Sequence, residues 1–291
     1  MKPGQRVLLV GANGAGKTTL LRVVSGKHFA PFDTLDVLGT HAPQDQCNGV
    51  SYLGERWCYT AAFASSGVAY SSDIKVRDMS SRVQEKFSER RDRLVDLLDI
   101  DMDWRMHMVS DGQRRRVQIM LGLLRPFQLL LMDEVTVDLD VVARSDLLSF
   151  LKQECDERQA TVIFATHIYD GLDEWPTHLM RCSDGYTTRV MDYKEIPELN
   201  ANIEAGKRAP LHSTVLDWLR EERRLGKNRI DWTDEEKAVA EKLKGSQGGW
   251  GAGRALPTPS ESRRLANIEK QCQEAEARDI AAAEGKSEAK A

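Results

Sequence analysis

The chain has 291 residues, of which 41% are hydrophobic and 30% charged, a composition typical of globular rather than disordered proteins. A formal net charge of −4 gives no overall attraction to nucleic acid or to an acidic membrane surface. Five scattered cysteines lack a zinc-binding spacing, no apolar stretch is long enough to span a bilayer, and the N-terminus lacks the features of a signal peptide. We therefore expect a soluble, cytoplasmic protein without a membrane span, and nucleic acid is not indicated as a partner.

The first predicted elements lie at the N-terminus. Arg6 to Val10 is a short apolar run typical of a strand, a glycine-rich loop follows, and Thr18 to Ser25 has a helical pattern. Further along, "FQLLLMDEV" and "ATVIFATH" are typical of buried strands, and "ARSDLLSFLKQECDERQ" between them is an amphipathic helix. Strands that alternate with helices predict an α/β fold with a mainly parallel core sheet, and a helical subdomain is predicted over about residues 75–125.

The amino-acid composition changes after about residue 195. "STVLDWLREERR" is predicted to be an amphipathic helix that packs back on the domain. The stretches "SQGGWGAGRALPTPSES" and "EKQCQEAEARDIAAAEGKSEAKA" are rich in glycine, serine and proline or in charge and alanine. We expect a main domain over residues 1–190, a helical extension over 191–235 and a flexible tail over 236–291.

The loop "GANGAGKT", Gly11 to Thr18, matches the pattern G-x-x-x-x-G-K-[ST] without a mismatch. Its glycines allow successive backbone N–H groups to surround phosphate oxygens, Lys17 can reach the outer phosphates, and Thr18 can ligate magnesium. A glycine-rich turn without chemical consequence is the alternative. The strand before the loop and the helix after it favour phosphate binding.

Two acids and a histidine follow the other two predicted strands. Asp133 and Glu134 close the strand "LLLMDE", at the sheet edge where parallel sheets bind their ligands. The first acid is suited to magnesium, and the second can polarise a water that attacks a γ-phosphate. His167 comes directly after "TVIFAT". A solvated acidic turn and a structural histidine remain the alternatives.

These motifs, in this order, resemble the ATP-binding cassette (ABC) ATPases over about residues 4–190. The resemblance implies an ABC-type P-loop NTPase fold, with Walker A at Gly11 to Thr19, a signature loop at Ser110 to Gln113, Walker B at Leu129 to Glu134, a D-loop at Val137 to Asp140 and a switch histidine at His167. The residues that it assigns to nucleotide are Gly11, Asn13, Gly14, Gly16, Lys17, Thr18, Thr19, Ser110, Gly112, Gln113 and Asp140.

The resemblance also implies a mechanism. Two ATP molecules with Mg²⁺ would lie between Walker A of one protomer and the signature loop of the other, in a head-to-tail dimer with a second copy or a paralogue. Glu134 would act as the base and His167 would contact the γ-phosphate. Thr18, Asp133 and Glu55 would face the metal.

Within the family, "YLGERWC", "SDGQRRRVQI" and "GGWGAGR" are similar to ABC ATPases associated with the CCR-NOT complex in fungi and to plant relatives in ABC subfamily I. This similarity implies an ATPase that acts as a regulatory or mechanical module in transcription or mRNA regulation, in the cytoplasm and also in the nucleus. The alternatives are the separately encoded nucleotide-binding subunit of a transporter and a nucleotide-binding scaffold with little turnover.

Three features depart from the family pattern. Glu55 replaces the usual glutamine of the Q-loop, and Asp111 replaces the usual second glycine of the signature. We expect the Asp111 carboxylate to turn away from phosphate toward an N–H or an arginine. No aromatic residue precedes Gly11 to stack on adenine, which at about 1–3 kcal/mol would weaken nucleotide binding roughly tenfold to a hundredfold. We therefore expect a shortened start, from truncation or a splice form.

The three successive arginines Arg114 to Arg116 spread around one turn of a predicted helix. We expect one or two of them to be solvated and one to pair with an acid of the same domain. A structural or dimer-contact role is favoured, and a role in binding a partner or nucleic acid is the alternative.

Overall fold

The computed structural model describes residues 1–28, 36–41, 49–54, 73–183, 185–188 and 190–225. The strands in this part of the chain are β1 (Arg6–Val10), β2 (Asp36–Val37), β3 (Thr40–His41), β4 (Val50–Leu53), β5 (Leu129–Asp133), β6 (Thr161–Ala165), β7 (His178–Ser183), β8 (Tyr186–Thr187) and β9 (Met191–Asp192). The helices are α1 (Lys17–Val24), α2 (Ser81–Lys86), α3 (Ser88–Leu97), α4 (Asp111–Leu123), α5 (Val141–Arg158), α6 (Pro197–Glu204) and α7 (Pro210–Leu225), with single 3-10 turns at Val76–Asp78 and Tyr193–Glu195.

One sheet organises the fold. Its strands follow the order β4-β5-β6-β1-β7-β8, and β9 also pairs with β7. The pairs from β4 to β7 are all parallel, and β8 and β9 add antiparallel edges to β7. Because every residue of β1, β5 and β6 is buried, these strands show the continuous apolar runs typical of a sheet covered on both faces. The predicted α/β class with a mainly parallel sheet is confirmed.

Successive residues of the central strands point to opposite faces of the sheet. On one face, Leu21 of α1 packs with Leu9 and Leu131 in a cluster of buried side chains. On the other face, Leu8 and Leu130 share a larger core with apolar side chains from α3, α4, α5, α6 and α7. The sheet is therefore covered on both sides, and its ligand-binding edge is set by where β1, β5 and β6 end.

Helix α4 lies unusually close to strand β4. A Cβ atom at Gly122 would fall 2.3 Å from Cδ2 of Leu53, so a larger residue there would displace the Leu53 side chain or the helix. Ser51 Oγ also donates a hydrogen bond to the Gly122 carbonyl at 2.9 Å. The C-terminal end of α4 is thus seated directly on the sheet, and its N-terminal end carries the predicted signature loop.

Helices α2, α3 and α4 lie within the segment predicted to be helical, and α7 contains the predicted amphipathic stretch. Val215 of α7 is buried, and Trp218 and Leu219 pack against the core as well. Residues 226–291, which include the predicted flexible tail, lie outside the described part of the chain. No helix among the described residues is long and apolar enough to cross a bilayer.

Candidate nucleotide site

Strands β1, β5 and β6 end at the same edge of the sheet, where the predicted motifs meet. Leu9 is in register with Ala165, and Asp133 is in register with the same residue from the other side. Because the three strands are parallel neighbours, the residues after them emerge side by side. The sheet therefore brings together the loop that starts at Gly11, the acid Glu134 and the histidine His167.

The loop after β1 wraps around the start of α1. Gly14 and Gly16 have positive φ values of 82° and 104°, which glycine adopts at little cost. The Lys17 ammonium lies over the loop, where it donates to the carbonyls of Gly11 at 2.9 Å and Ala12 at 3.1 Å. Helix α1 has no side-chain cap and no acidic residue in its first turn. Its first N–H groups and the lysine can therefore serve an anion.

The hairpin of β7 and β8 supports this loop from behind, a feature that the sequence analysis missed. The Ala15 carbonyl accepts hydrogen bonds from the Gly185 N–H at 2.8 Å and from the Cys182 thiol at 3.0 Å. A Cβ atom at Gly11 would lie 2.1 Å from the Cys182 carbonyl oxygen. Burial raises the pKa of the Cys182 thiol to about 11, which keeps the donor hydrogen in place. An Asp-Gly pair at residues 184–185 was the available hairpin signal.

Glu134 and His167 form the most direct contact between two predicted site residues. The Glu134 Oε2 atom lies 2.7 Å from His167 Nδ1, and the His167 backbone N–H donates to the same oxygen at 3.4 Å. Both side chains keep access to solvent, with 33% of the glutamate and 60% of the histidine side chain exposed. Burial, together with the Glu134 charge, raises the pKa of the nearby Tyr169 hydroxyl to about 12, so that group stays protonated.

Asp133 fits a role as a magnesium ligand. The residue is buried, and its Oδ1 atom has no hydrogen-bond partner among the described residues. A buried carboxylate oxygen without a partner is costly unless a ligand or water satisfies it, and carboxylates are preferred ligands of Mg²⁺. Thr18, at the second position of α1, can supply a hydroxyl at the same edge of the sheet. Glu55, the third predicted metal ligand, lies outside the described residues.

The predicted signature loop caps helix α4 with its own side chains. Ser110 Oγ accepts from the Gln113 N–H at 3.2 Å, and Gln113 Oε1 accepts from the Ser110 N–H at 2.9 Å, which is a capping box. The cap uses acceptor atoms. Among the described residues, the Ser110 hydroxyl hydrogen and the Gln113 side-chain NH₂ have no acceptor, and no hydrogen bond joins Ser110, Gly112 or Gln113 to the phosphate loop of the same chain.

The Asp111 carboxylate turns toward an arginine, as predicted. Its Oδ1 atom pairs with Arg114 Nη1 at 2.8 Å, although 72% of the aspartate side chain is exposed. The expectation that one or two of the three arginines are solvated is wrong. Arg114 and Arg115 are each only 4% exposed, and the Arg116 side chain is 20% exposed. All three bind backbone carbonyls, because the loops around α4 direct their oxygens at this helix.

The predicted D-loop aspartate has two partners within the chain. Asp140 caps α5 by accepting from the Ala143 N–H at 2.9 Å, and its other oxygen pairs with Arg116. The Ala143 hydrogen bond, with a further contribution from Arg116, holds the pKa of the Asp140 carboxyl below its usual range. A Cβ atom at Gly112 would lie 3.4 Å from the Asp138 carbonyl, so the signature loop and the D-loop are neighbours. Asp140 thus links the D-loop to helices α4 and α5 beside the signature loop.

Four exposed apolar side chains lie within these two loops or next to them in the sequence. Their exposures are 74% for Met108, 38% for Val137, 84% for Val141 and 69% for Val142. Met108 lies just before the signature loop, Val137 lies in the D-loop, and the other two begin α5. Exposed apolar side chains gathered on one surface are typical of a protein contact.

A phosphate loop between a strand and a helix, two acids after the neighbouring strand and a histidine after the next define a P-loop nucleotide-binding domain. The sequence matches the family described as ABC transporter over residues 1–137. It is 43% identical to ABC transporter I family member 20 of Arabidopsis thaliana over 89% of this chain and 81% of that protein. It is also 38% identical to CCR4-associated factor 16 of Saccharomyces cerevisiae over 77% of this chain and 87% of that protein. The chain belongs to the ABC family.

Solved structures share this fold. An ATP-binding subunit of an ABC transporter matches with a TM-score of 0.58 and 17% identity, over 76% of this chain and 88% of that one. A dimeric ATP-binding cassette in a post-hydrolysis state, bound to ADP and Pi, matches with a TM-score of 0.53 and 15% identity, over 67% and 88% of the two chains. At this identity the likeness concerns the fold.

Proposed function

We propose that this chain binds and hydrolyses ATP with Mg²⁺ in a head-to-tail dimer with a second ABC domain, and acts as a regulatory or mechanical module. The observation that carries the proposal is the 2.7 Å contact between Glu134 and His167 at the sheet edge where the phosphate loop begins. A carboxylate that is oriented by a histidine and open to solvent is suited to accept a proton from water.

Each residue at the edge of the sheet where β1, β5 and β6 end would have a separate role. Lys17 would leave the carbonyls of Gly11 and Ala12 for the outer phosphates, and the N–H groups at the start of α1 would bind the inner ones. Glu134 Oε2 would take the proton of the attacking water, and His167 would hold that carboxylate and contact the γ-phosphate. Magnesium, held by Thr18 and Asp133, would neutralise charge on the phosphates.

The signature loop supports a dimer. The Ser110 hydroxyl, the Gln113 NH₂ and the Gly112 N–H are donors, which match phosphate oxygens. Since no hydrogen bond among the described residues joins these groups to the phosphate loop of the same chain, a nucleotide bound by a second protomer is the proposed acceptor. The exposed Met108 and Val141 beside the loop supply apolar surface for that contact. Asn13 and Thr19, which are exposed on the phosphate loop and α1, would line the other half of the same site.

The substitution Glu134→Gln tests the reaction. It keeps the size of the side chain but removes the proton acceptor, so we expect the rate of ATP hydrolysis to fall by about a hundredfold to ten-thousandfold. We also expect ATP to hold the variant as a dimer, measured by size-exclusion chromatography with light scattering. Phosphate release under saturating Mg·ATP gives the rate.

The matched control is Glu195→Gln, an exposed glutamate on the short turn before α6. It should hydrolyse ATP at the parent rate. Equal hydrolysis by Glu134→Gln and the parent would exclude Glu134 as the base. A parent that binds Mg·ATP without turnover would instead support the nucleotide-binding scaffold.

The biological setting is inferred from a relative. CCR4-associated factor 16 is by its name associated with CCR4, so we infer a CCR-NOT-type partner and a location in the cytoplasm and nucleus. Binding of purified CCR-NOT subunits to this chain, with and without ATP, tests that partner, and imaging of a fluorescent fusion tests the location. The alternative is a transporter's nucleotide-binding subunit, because one structural neighbour has that role. Stable co-purification with an integral membrane protein would favour it.

A further inference from the structure

Arg115 is a buried arginine whose contacts reach three separate parts of the chain. It is 4% exposed, although it lies only five residues after the exposed Ser110. Its guanidinium donates to the Val135 carbonyl at 3.2 Å, to the Gly54 carbonyl at 3.0 Å and to Gln118 Oε1 at 2.6 Å. Removing a guanidinium from water costs free energy, and that cost is offset only where hydrogen-bond acceptors surround the buried group. Arg115 therefore joins helix α4, the residue after β4 and the residue after Glu134.

The backbone at Glu134 needs support of this kind. Glu134 has a φ value of 52°, in the left-handed region that residues with a side chain adopt only when the surrounding structure holds them there. Its N–H continues the sheet by donating to the Ala165 carbonyl at 2.9 Å. On the other side, its own carbonyl lies 3.4 Å from Arg115 Nη2, and the next carbonyl accepts from Arg115 Nε. The Glu134 side chain can meet His167 only while this conformation is kept.

We propose that Arg115 is a positioning residue that holds the backbone of Glu134 and Val135 in the conformation that aims the Glu134 carboxylate at His167. Through Gly54, the same guanidinium ties this conformation to the end of strand β4. The proposal rests on the proposed function of Glu134 as the base. Within the described part of the chain, no hydrogen bond joins Arg115 to the phosphate loop, so we expect its effect on turnover and not on nucleotide affinity.

Arginine is needed here for its shape. A guanidinium is a planar fork whose N–H groups point in several fixed directions, whereas a lysine ammonium is a single point charge. A lysine at 115 keeps the charge but cannot span the carbonyls of Gly54 and Val135 and the side chain of Gln118 together. Arg115→Lys is therefore the conservative variant that separates charge from geometry.

We expect Arg115→Lys to lower kcat for ATP by about tenfold or more. The dissociation constant for a fluorescent ATP analogue and KM should stay within about threefold of the parent, because the phosphate loop is untouched. The matched control is Arg90→Lys, which removes a fork bound to the Glu154 carboxylate of α5 and to the Leu123 carbonyl at the C-terminal end of α4, away from Glu134 in sequence. That control should keep the parent kcat.

A second readout does not depend on activity. Amide hydrogen exchange at residues 134–136 should speed up by about tenfold in Arg115→Lys and stay at the parent rate in Arg90→Lys. If Arg115→Lys fails to fold, Arg115→Gln, which retains an amide donor, takes its place in both measurements. Unchanged exchange at these residues, or kcat and affinity that fall together, would overturn the proposal. A parent without ATPase activity would overturn the proposed function alone, since exchange still tests Arg115.

Discussion

Helices α1 and α4 both begin at a predicted nucleotide-binding loop, but the first N–H groups of α1 are uncapped whereas those of α4 are capped by side chains. The start of α1 has a left-handed glycine, no side-chain cap and no acid in its first turn. The start of α4 has a complete capping box and an aspartate. Since uncapped N–H groups gain most from an anion, the first loop is the better suited of the two to bind phosphate.

In the second loop, the acceptor atoms of Ser110 and Gln113 bind each other's backbone N–H groups, and the Asp111 carboxylate pairs with Arg114. The loop keeps a few donors at an exposed surface with apolar neighbours. On the proposed function, α1 would provide nucleotide affinity and α4 would recognise a nucleotide held by the second protomer. The following predictions test this division.

Among the tests of this division, the largest effect is expected for Lys17→Met. The variant loses charge-assisted hydrogen bonds to phosphate worth about 3 kcal/mol in total, or roughly a hundredfold in the ATP dissociation constant. Isothermal titration calorimetry with Mg·ATP measures the change. Lys152→Met, at an exposed position of α5, is the control and should bind like the parent. An affinity loss below about threefold would contradict the role given to the start of α1.

The next largest effect concerns the buried Cys182 thiol, which donates a hydrogen bond to the phosphate loop. Because burial raises the pKa of Cys182 from 9.0 to about 11, its thiolate at pH 8 is about a hundredfold scarcer than in the unfolded chain. Alkylation by iodoacetamide, followed by peptide mass spectrometry, should be slower by at least that factor than in urea. Stability from the neutral thiol is complete below pH 9.0 and is lost as the pH rises through about 11. Alkylation at the rate seen in urea would contradict a buried thiol.

A change of about tenfold is expected for dimer formation in Val141→Glu. An acid at the first position of α5 suits the helix dipole, so the fold should keep its stability, while a charge at the apolar surface should weaken ATP-dependent dimerisation about tenfold. Analytical ultracentrifugation on the Glu134→Gln background measures it. Ile203→Glu, a similar change at a 51% exposed site on α6, is the control. Equal dimerisation of both variants would place the interface elsewhere.

The smallest effect is expected for Asp140→Asn. Asparagine caps a helix as well as aspartate, so the variant loses only the ion pair with Arg116, which should change the unfolding equilibrium by about twofold to threefold. Because the folded pKa of Asp140 lies below 3.8, this difference is present above that pH and disappears as the pH falls through the lowered pKa. Urea midpoints between pH 7 and pH 3 measure it. A difference that grows at low pH would contradict the assignment.

The sequence was sufficient to predict where the locally encoded parts of the candidate site lie in the fold. The phosphate loop, the acids after β5 and the histidine after β6 lie in short patterns whose spacing with strands and helices is regular. Family resemblance added the signature loop and the D-loop. The capping box could also have been read from Ser110 and Gln113, three residues apart.

The contacts that support the site could not be predicted in the same way. Arg115 binds Gly54, which is 61 residues away in sequence, and Cys182 reaches Ala15 from 167 residues away. Which carbonyls face these side chains depends on how the strands and α4 are packed, and no local pattern specifies that. For the same reason the sequence predicted that one or two of the three arginines are solvated, whereas Arg114 and Arg115 are buried.

The contact of α4 with β4 at Gly122 lies at the opposite end of the helix from the signature loop. From Gly122 to Ser110 the helix extends about 18 Å at 1.5 Å per residue, so a tilt of about 3° about the glycine moves the far tip by about 1 Å, a shift large enough to make or break a hydrogen bond. The position of the signature loop would therefore be sensitive to a small tilt of α4 at the sheet.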